Sequence, residues 1–418
     1  MHTRWYTGRG HVKGHEGEGS NTVRGRCAGS VWIWSASCGA LALVGCAASG
    51  RPASPEGDVR PTPSSWSSTT VTPPAAETAP GPRVVAGSEP VVAPEQAPLQ
   101  TSGLARGDGG PADDALAAGD RALEADDLQA AREQYDRARA LAPEDPAPAV
   151  GLVRVRLAEA NVALDYRAAP GDARLERLLE ALDAVLATAP RYGPAHLERG
   201  RVALILGDAP SALRSLRQAV LLRPGDPEAH TALGVALLAT GASKDALEHF
   251  RRATELDPDD PSRLTNLGTA YMMRGLVDSA VAAYEKAVRL VPDDARVQGD
   301  LGTAYLAANR PDRAMQHLRR AVELAPERAT FLNNLGYAQQ LGGETKLAIQ
   351  TYRQALAKDP QLGSAWINLG TAQAQQGDYD AADASFRRAL AIDPSDPRAQ
   401  ANLAELNELR KNAAGSGK

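Results

Sequence analysis

Between Gly363 and Asp396 the apolar positions follow the period of a helix, twice over. Trp366, Leu369, Gly370 and Gln373 stand at spacings of three, four and seven, which puts them on one face of a first helix. Ala382, Phe386 and Ala389 form a second stripe, and Pro394, with no amide hydrogen to donate, stops that helix. Gly377 between them suits the left-handed turn that ends the first helix. The two stripes are expected to face each other as a hairpin. In that hairpin Gly370 and Ala382 let the helices approach, and Trp366 and Phe386 fill the space on either side.

The pattern recurs upstream in steps of 34 residues. Leu335, Gly336, Ala348, Tyr352, Ala355 and Pro360 make one copy, and Leu301, Gly302, Ala314, Leu318, Ala321 and Pro326 the next. Leu267, Gly268, Ala280, Tyr284, Ala287 and Pro292 follow, then Leu233, Gly234, Ala246, Phe250, Ala253 and Pro258. Gly200, Ala212, Leu216, Ala219 and Pro224 form a weaker copy, and Gly119, Ala131, Tyr135, Ala138 and Pro143 another. At the hinge stand Gly207, Gly241, Gly275 and Gly343, with Asn309 as the exception that tolerates the same backbone conformation.

A 34-residue hairpin with this order of residues resembles the tetratricopeptide repeat. That resemblance implies an all-α fold, a right-handed superhelical solenoid of antiparallel helix pairs. Eight repeats are expected over 112–396, divided as 112–145, 146–192, 193–226, 227–260, 261–294, 295–328, 329–362 and 363–396. Residues 397–411 read as a polar capping helix for the open end. In 146–192 the period stretches, since Pro143 and Pro190 are 47 residues apart. The extra residues are assigned to the first helix and the turn after it. A long helix is expected near Val150 to Arg167, broken by Ala169, Pro170 and Gly171, either as a tolerated insertion or as a docking element.

The amino-terminal third has no such period. No charged residue occurs from Ala28 to Ser49, and Arg24 and Arg26 precede that run, the layout of a secretory signal. It ends in Leu43, Val44, Gly45 and Cys46, which resemble a bacterial lipobox. The resemblance implies removal of residues 1–45 and a lipid on the sulfur of Cys46, with the true start possible at Val23. Ala47, in the place where some bacteria use aspartate as an inner-membrane signal, points to the outer membrane, facing the periplasm. Residues 46–111 read as a lipidated, disordered Pro/Ser-rich tether; twelve prolines lie between Ala47 and Pro111. Such a chain spans roughly 45 Å when flexible.

Charge and candidate chemistry narrow the function further. The formal net charge is -5, and residues 1–45, with five basic and two acidic side chains, take it to -8 when removed. Nucleic acid is therefore not an expected partner. All three cysteines, Cys27, Cys38 and Cys46, precede the repeats, so no thiolate site is expected there. His196 and His230 share position 4 of their repeats, and His249 and His317 share position 23, which reads as structural register. The pairs Asp259 and Asp260, and Asp293 and Asp294, fall in turns where aspartate caps the next helix. No catalytic residue, metal ligand, cofactor or small-molecule substrate is expected.

Binding remains. At 100° per residue, positions 2, 6, 9 and 13 of the first helix fall opposite the packing stripe and are expected to be exposed. By resemblance to the family this face lines a concave groove that takes peptides or partner helices. Its residues are Asn266, Thr269, Asp300, Thr303, Asn334, Tyr337, Asn368 and Thr371, with Asn402 in the cap. The rows resemble the asparagine ladder in the repeat domain of the O-linked N-acetylglucosamine transferase, which binds peptide backbone; Asp300 interrupts this one. The expected function is a non-enzymatic, lipid-anchored scaffold that recruits or assembles envelope proteins. Analogy offers pilus or secretion-pore assembly factors and adaptors for cell-wall hydrolases. A soluble cytoplasmic accessory to an enzyme is the different class, should the signal not be used.

Overall fold

The computed structural model describes residues 103–107, 109–162 and 168–415. Val23, Cys46 and most of the tether lie outside them. Among the described residues the chain forms seventeen α-helices and no strand. They fall into two compact units that divide between Arg274 and Gly275.

The first unit holds α1 (Pro111–Glu124), α2 (Leu128–Leu141), α3 (Ala147–Ala160), α4 (Ala173–Thr188), α5 (Gly193–Leu206), α6 (Ala209–Leu222), α7 (Pro227–Ala239), α8 (Ser243–Leu256) and α9 (Pro261–Met273). The second holds α10 (Val277–Leu290), α11 (Ala295–Ala307), α12 (Pro311–Leu324), α13 (Ala329–Leu341), α14 (Thr345–Lys358), α15 (Gly363–Gln375), α16 (Tyr379–Ile392) and α17 (Pro397–Gly415). Odd helices are the first of each repeat and even helices the second.

Starts and stops follow local chemistry. Asp226, Asp260 and Asp294 each accept two backbone N–H bonds at the start of α7, α9 and α11, groups that have no partner within the helix. The hinges Gly207, Gly241, Gly275, Gly343 and Gly377 all have positive φ, as does Asn309 at +54°. Asp126 takes the same role in the first repeat, at +65°.

Within each unit a first helix packs on its own second helix, from α1 on α2 to α7 on α8 and from α11 on α12 to α15 on α16, and on the second helix before it where the unit holds one. First helices also touch one another, α1 on α3, α3 on α5, α5 on α7 and α7 on α9 in the first unit. In the second, α11 touches α13, α13 touches α15 and α15 touches α17. Among the described residues no second helix reaches the next second helix within either unit. The first helices are thus the crowded layer. α13 is buried along its whole length from Phe331 to Gln340, and α7 from Ala229 to Leu238.

Three expectations change. The ring of Phe386 does not flank the crossing at Gly370 but fills it: a Cβ on Gly370 would lie 2.6 Å from the ring. Trp366 is only partly buried and donates its indole N–H to the carbonyl of Pro360 at 3.0 Å. In the irregular repeat, α3 ends at Ala160 and not near Arg167, because Asn161 turns left-handed at φ +49°. α3 has 14 residues, as α5 does, so the added residues lie mostly in the connection to α4, and α4 itself has 16 residues where α6 has 14. The end of that connection is fixed by a bond from the Ala169 N–H to the Ile205 carbonyl at 3.2 Å.

Candidate functional site

None of the residues named above at positions 6 and 9 of the second unit is exposed as expected, and Asp300 and Thr303 are half-buried. Asn334, Tyr337, Asn368, Thr371 and Asn402 are all buried, Thr371 to 1 % and Asn402 to 0 % exposure. The cause is the contact between successive first helices, which places position 6 of one against position 9 of the one before. Asn334 donates from Nδ2 to Thr303 Oγ1 at 3.1 Å, and Asn402 to Thr371 Oγ1 at 3.2 Å. Each threonine hydroxyl gives its own hydrogen to the carbonyl four residues earlier, Thr303 to Gly299 and Thr371 to Ile367, and so is left to accept.

Where position 9 is tyrosine the pattern changes. Asn368 donates to Asn333 Oδ1 at 3.0 Å instead, and Asn333 donates to Asn334 Oδ1 at 3.2 Å. A directional chain therefore runs from Asn368 through Asn333, Asn334 and Thr303 to the Gly299 carbonyl. The asparagine amides join repeat to repeat. Asp300 keeps 34 % of its side-chain surface accessible and pairs with Arg296 at 3.4 Å. Burial of its carboxyl pushes its pKa up to about 6, against the pull of Arg296.

In the first unit Asn266 and Thr269 are half-buried. Thr269 donates to the Thr265 carbonyl at 3.0 Å, but Asn266 Nδ2 is buried without an acceptor. Register explains this, since position 9 of the preceding repeat is Val235, which has no oxygen in its side chain.

The first unit also carries a buried ionic chain that the sequence analysis did not find. Arg154 on α3 bonds Glu198 on α5 at 2.8 Å, and Glu198 lies 3.2 Å from Arg201. Arg201 pairs with Glu228 on α7, and Glu228 with Arg263 on α9 at 2.9 Å. Arg154, Glu198 and Arg201 are almost wholly buried, and Glu198 Oε2 has no hydrogen-bond partner. Burial works to raise the pKa of Glu228, but the Arg263 and Arg201 guanidiniums outweigh it and hold the carboxyl below its usual range. The available signal was a charge inside an apolar run, such as Arg154 between Val153 and Val155.

At the start of the first unit the same face of α1 is occupied. Residues 103–107, expected to belong to a disordered tether, lie along it. Asp120, at position 9, accepts the Leu104 N–H at 2.7 Å and the Ala105 N–H at 3.5 Å through Oδ2. Asp113, at position 2, accepts the Arg106 N–H through Oδ1 and the Gly107 N–H through Oδ2 at 2.8 Å. The Leu104 side chain joins the core cluster and is 2 % exposed. Arg106 pairs with Asp145 at 2.5 Å.

Comparison with known proteins fits this architecture. A sequence profile described as tetratricopeptide repeat matches residues 197–261, 265–329 and 300–363, and a second of that description matches 342–411. No curated protein matches the chain. Among solved structures, the Cut9–Hcn1 hetero-tetramer of the APC/C aligns with a TM-score of 0.51 and 16 % identity, over 71 % of this chain and 56 % of that one. PilF of Pseudomonas aeruginosa aligns at 0.44 with 22 % identity, over 51 % and 97 %. TTC0263 of Thermus thermophilus, a thermophilic protein of the same repeat class, aligns at 0.38 with 27 % identity, over 43 % and 98 %. The likeness to the first is one of fold. With its recurring helix pairs, left-handed hinges and matched profiles, the chain belongs to the tetratricopeptide-repeat family, whose fold is a scaffold for protein–protein interaction and generally a non-catalytic one.

Proposed function

We propose that the chain is a lipid-anchored scaffold of the bacterial cell envelope, held at the outer membrane on its periplasmic side, which recruits or assembles other envelope proteins. The observation that carries the reading is the run Leu43, Val44, Gly45 and Cys46, which closes a stretch without charge preceded by Arg24 and Arg26. The proline-rich segment after it gives the repeats a reach of roughly 45 Å from the membrane surface. Partners are proteins or peptides, bound on the face that carries positions 2, 6 and 9. In the second unit Asp300 and Thr303 stay half-buried on that face, as do Thr330 and Ser364 at position 2. The reading carries no cofactor, metal or substrate chemistry.

The test is Cys46→Ala. Metabolic labelling with a fatty acid should mark the wild-type protein and lose its signal in the variant, and the variant should leave the membrane fraction or accumulate unprocessed. Labelling that persists in Cys46→Ala places the anchor elsewhere. An unlabelled wild-type protein found in the cytoplasm sinks the envelope reading altogether.

A further inference from the structure

Four backbone amides in a row, from Leu104 to Gly107, are taken up by only two carboxylates, Asp120 and Asp113. Successive amides that share one carboxylate turn the same way, as in a backbone nest and not a strand, and such contacts read the backbone whatever its side chains. Side chains then select. Leu104 is buried in the cluster that includes Ala115, Leu116 and Leu123, and Arg106 reaches Asp145 beyond α2. Asp120 stands at position 9, which is buried as Arg201, Val235, Tyr337 and Thr371 in later repeats. A stretch of glycine joins the segment to α1: Gly107 and Gly109 have φ of +79° and +73°, and Gly110 precedes the helix. Open space surrounds both positive-φ glycines.

We propose that the inner face of the first repeat is a binding site for a peptide segment in which leucine precedes arginine by two residues and successive amides turn to one carboxylate, and that residues 103–107 are its resident occupant. A partner segment of that pattern enters by displacing them. The exchange is feasible because the departing segment leaves Asp113 and Asp120 on a face that water then reaches, so no carboxylate is stranded. It is also regulated by proximity. A segment joined through so short a link is present at an effective concentration on the order of millimolar. A resident segment whose own Kd for the site is about 100 μM is then bound about ten times as often as not, and any partner binds the intact chain about tenfold more weakly than the vacated site.

The proposal rests on the reading of the chain as a protein-binding scaffold and not on its lipid. It is measured on the purified full chain in detergent, so it and the Cys46 labelling fail independently. The probe is a fluorescent peptide carrying the sequence of residues 99–110. A chain with Leu104→Asp and Arg106→Glu should release its own segment, seen as rapid amide exchange at 104–107 with the helix content unchanged. The probe should bind this variant at least tenfold more tightly than it binds the wild-type chain, and a probe with the same two changes should not bind. Should the variant fail to fold, the wild-type chain decides: millimolar probe should lower the amide protection of Leu104 and Gly107, and the altered probe should not. If the released variant is folded and the probe ignores it, or if millimolar probe leaves the wild-type protection untouched, residues 103–107 are a fixed cap and the proposal fails.

Discussion

His196, His230, Gln298 and Trp366 occupy position 4 of four repeats and Gln400 the same place in the cap, and they share little except a hydrogen on nitrogen. Each directs a ring or amide nitrogen to the carbonyl of the proline six residues earlier, at 2.7 to 3.1 Å. The sequence led us to treat this as a packing position, yet donor capacity is what the site selects. In His230 the consequence is chemical. The Pro224 carbonyl can only accept, so Nε2 carries the hydrogen and Nδ1 accepts from His249 Nδ1 at 3.0 Å. Burial lowers the pKa of both rings, and His230 lowers that of His249 further. Around them stand Arg252, Asp226 and Glu255 for the first, and Asp245, Arg217 and Glu248 for the second. A depressed folded pKa means that the unfolded chain takes up protons first. The stability these rings contribute is therefore full above about pH 6.5 and is lost as pH falls through their lowered values. Amide protection in α7 and α8 should drop between pH 7 and pH 5. His249→Gln, which keeps a donor for His230 and cannot titrate, should flatten that drop; an unchanged slope would show that the pair is not its source.

At the scale of the helix pair, the period alone identified which residues meet. The glycine at position 8 and the large residue at position 24 recur because one makes room for the other, and Gly302 shows how little room there is. A Cβ there would lie 2.6 Å from Leu318 Cγ and 3.4 Å from the Ala314 carbonyl oxygen. Gly302→Ala should cost about 1 to 3 kcal/mol in urea denaturation. Leu318→Ala, which alone should cost about 2 to 5 kcal/mol, should cost less in the Gly302→Ala background, because it removes the atoms that clash; a double variant that simply adds the two penalties would count against the crossing as the cause. Other features were not legible for definite reasons. Helical periodicity sorts residues by one packed face and one free face, but a first helix here meets its own second helix, the second helix before it and its neighbouring first helices. Asn368 and Thr371, polar and opposite the apolar stripe, were therefore assigned to solvent. The five residues from Gly103 to Gly107 are too few to have a period, and only Leu104 and Arg106 stand out from their glycines. The end of α3 turned on Asn161, a residue that tolerates a left-handed turn but does not require one.

Across the molecule, each unit fills the layer between its first helices with polar groups, and the two units do so by different chemistry. The first uses charge: Arg154, Glu198, Arg201, Glu228 and Arg263 alternate in sign from α3 to α9. Buried pairs of this kind add little net stability over apolar packing, but losing one partner strands the other charge, so they fix the register in which repeats stack. The second unit uses neutral amides and hydroxyls, from Asn402 on Thr371 to Asn334 on Thr303. A solenoid without a central core depends on such nearest-neighbour contacts. The family and its helix pairs were legible in the repeat; which inner-face groups remain open to a partner was not, because that depends on how closely one repeat stacks on the next. Whether the asparagine row joins repeats or grips a ligand is measured directly by Asn368→Ala. Asn368 is 4 % exposed and gives its amide hydrogen to Asn333, whose oxygen the variant leaves buried without that donor. Denaturant unfolding should show a loss of about 1 to 3 kcal/mol, with faster amide exchange in α13 and α15. An unaltered unfolding midpoint together with reduced recovery of partners by crosslinking in intact cells would contradict the account and return the row to the binding surface.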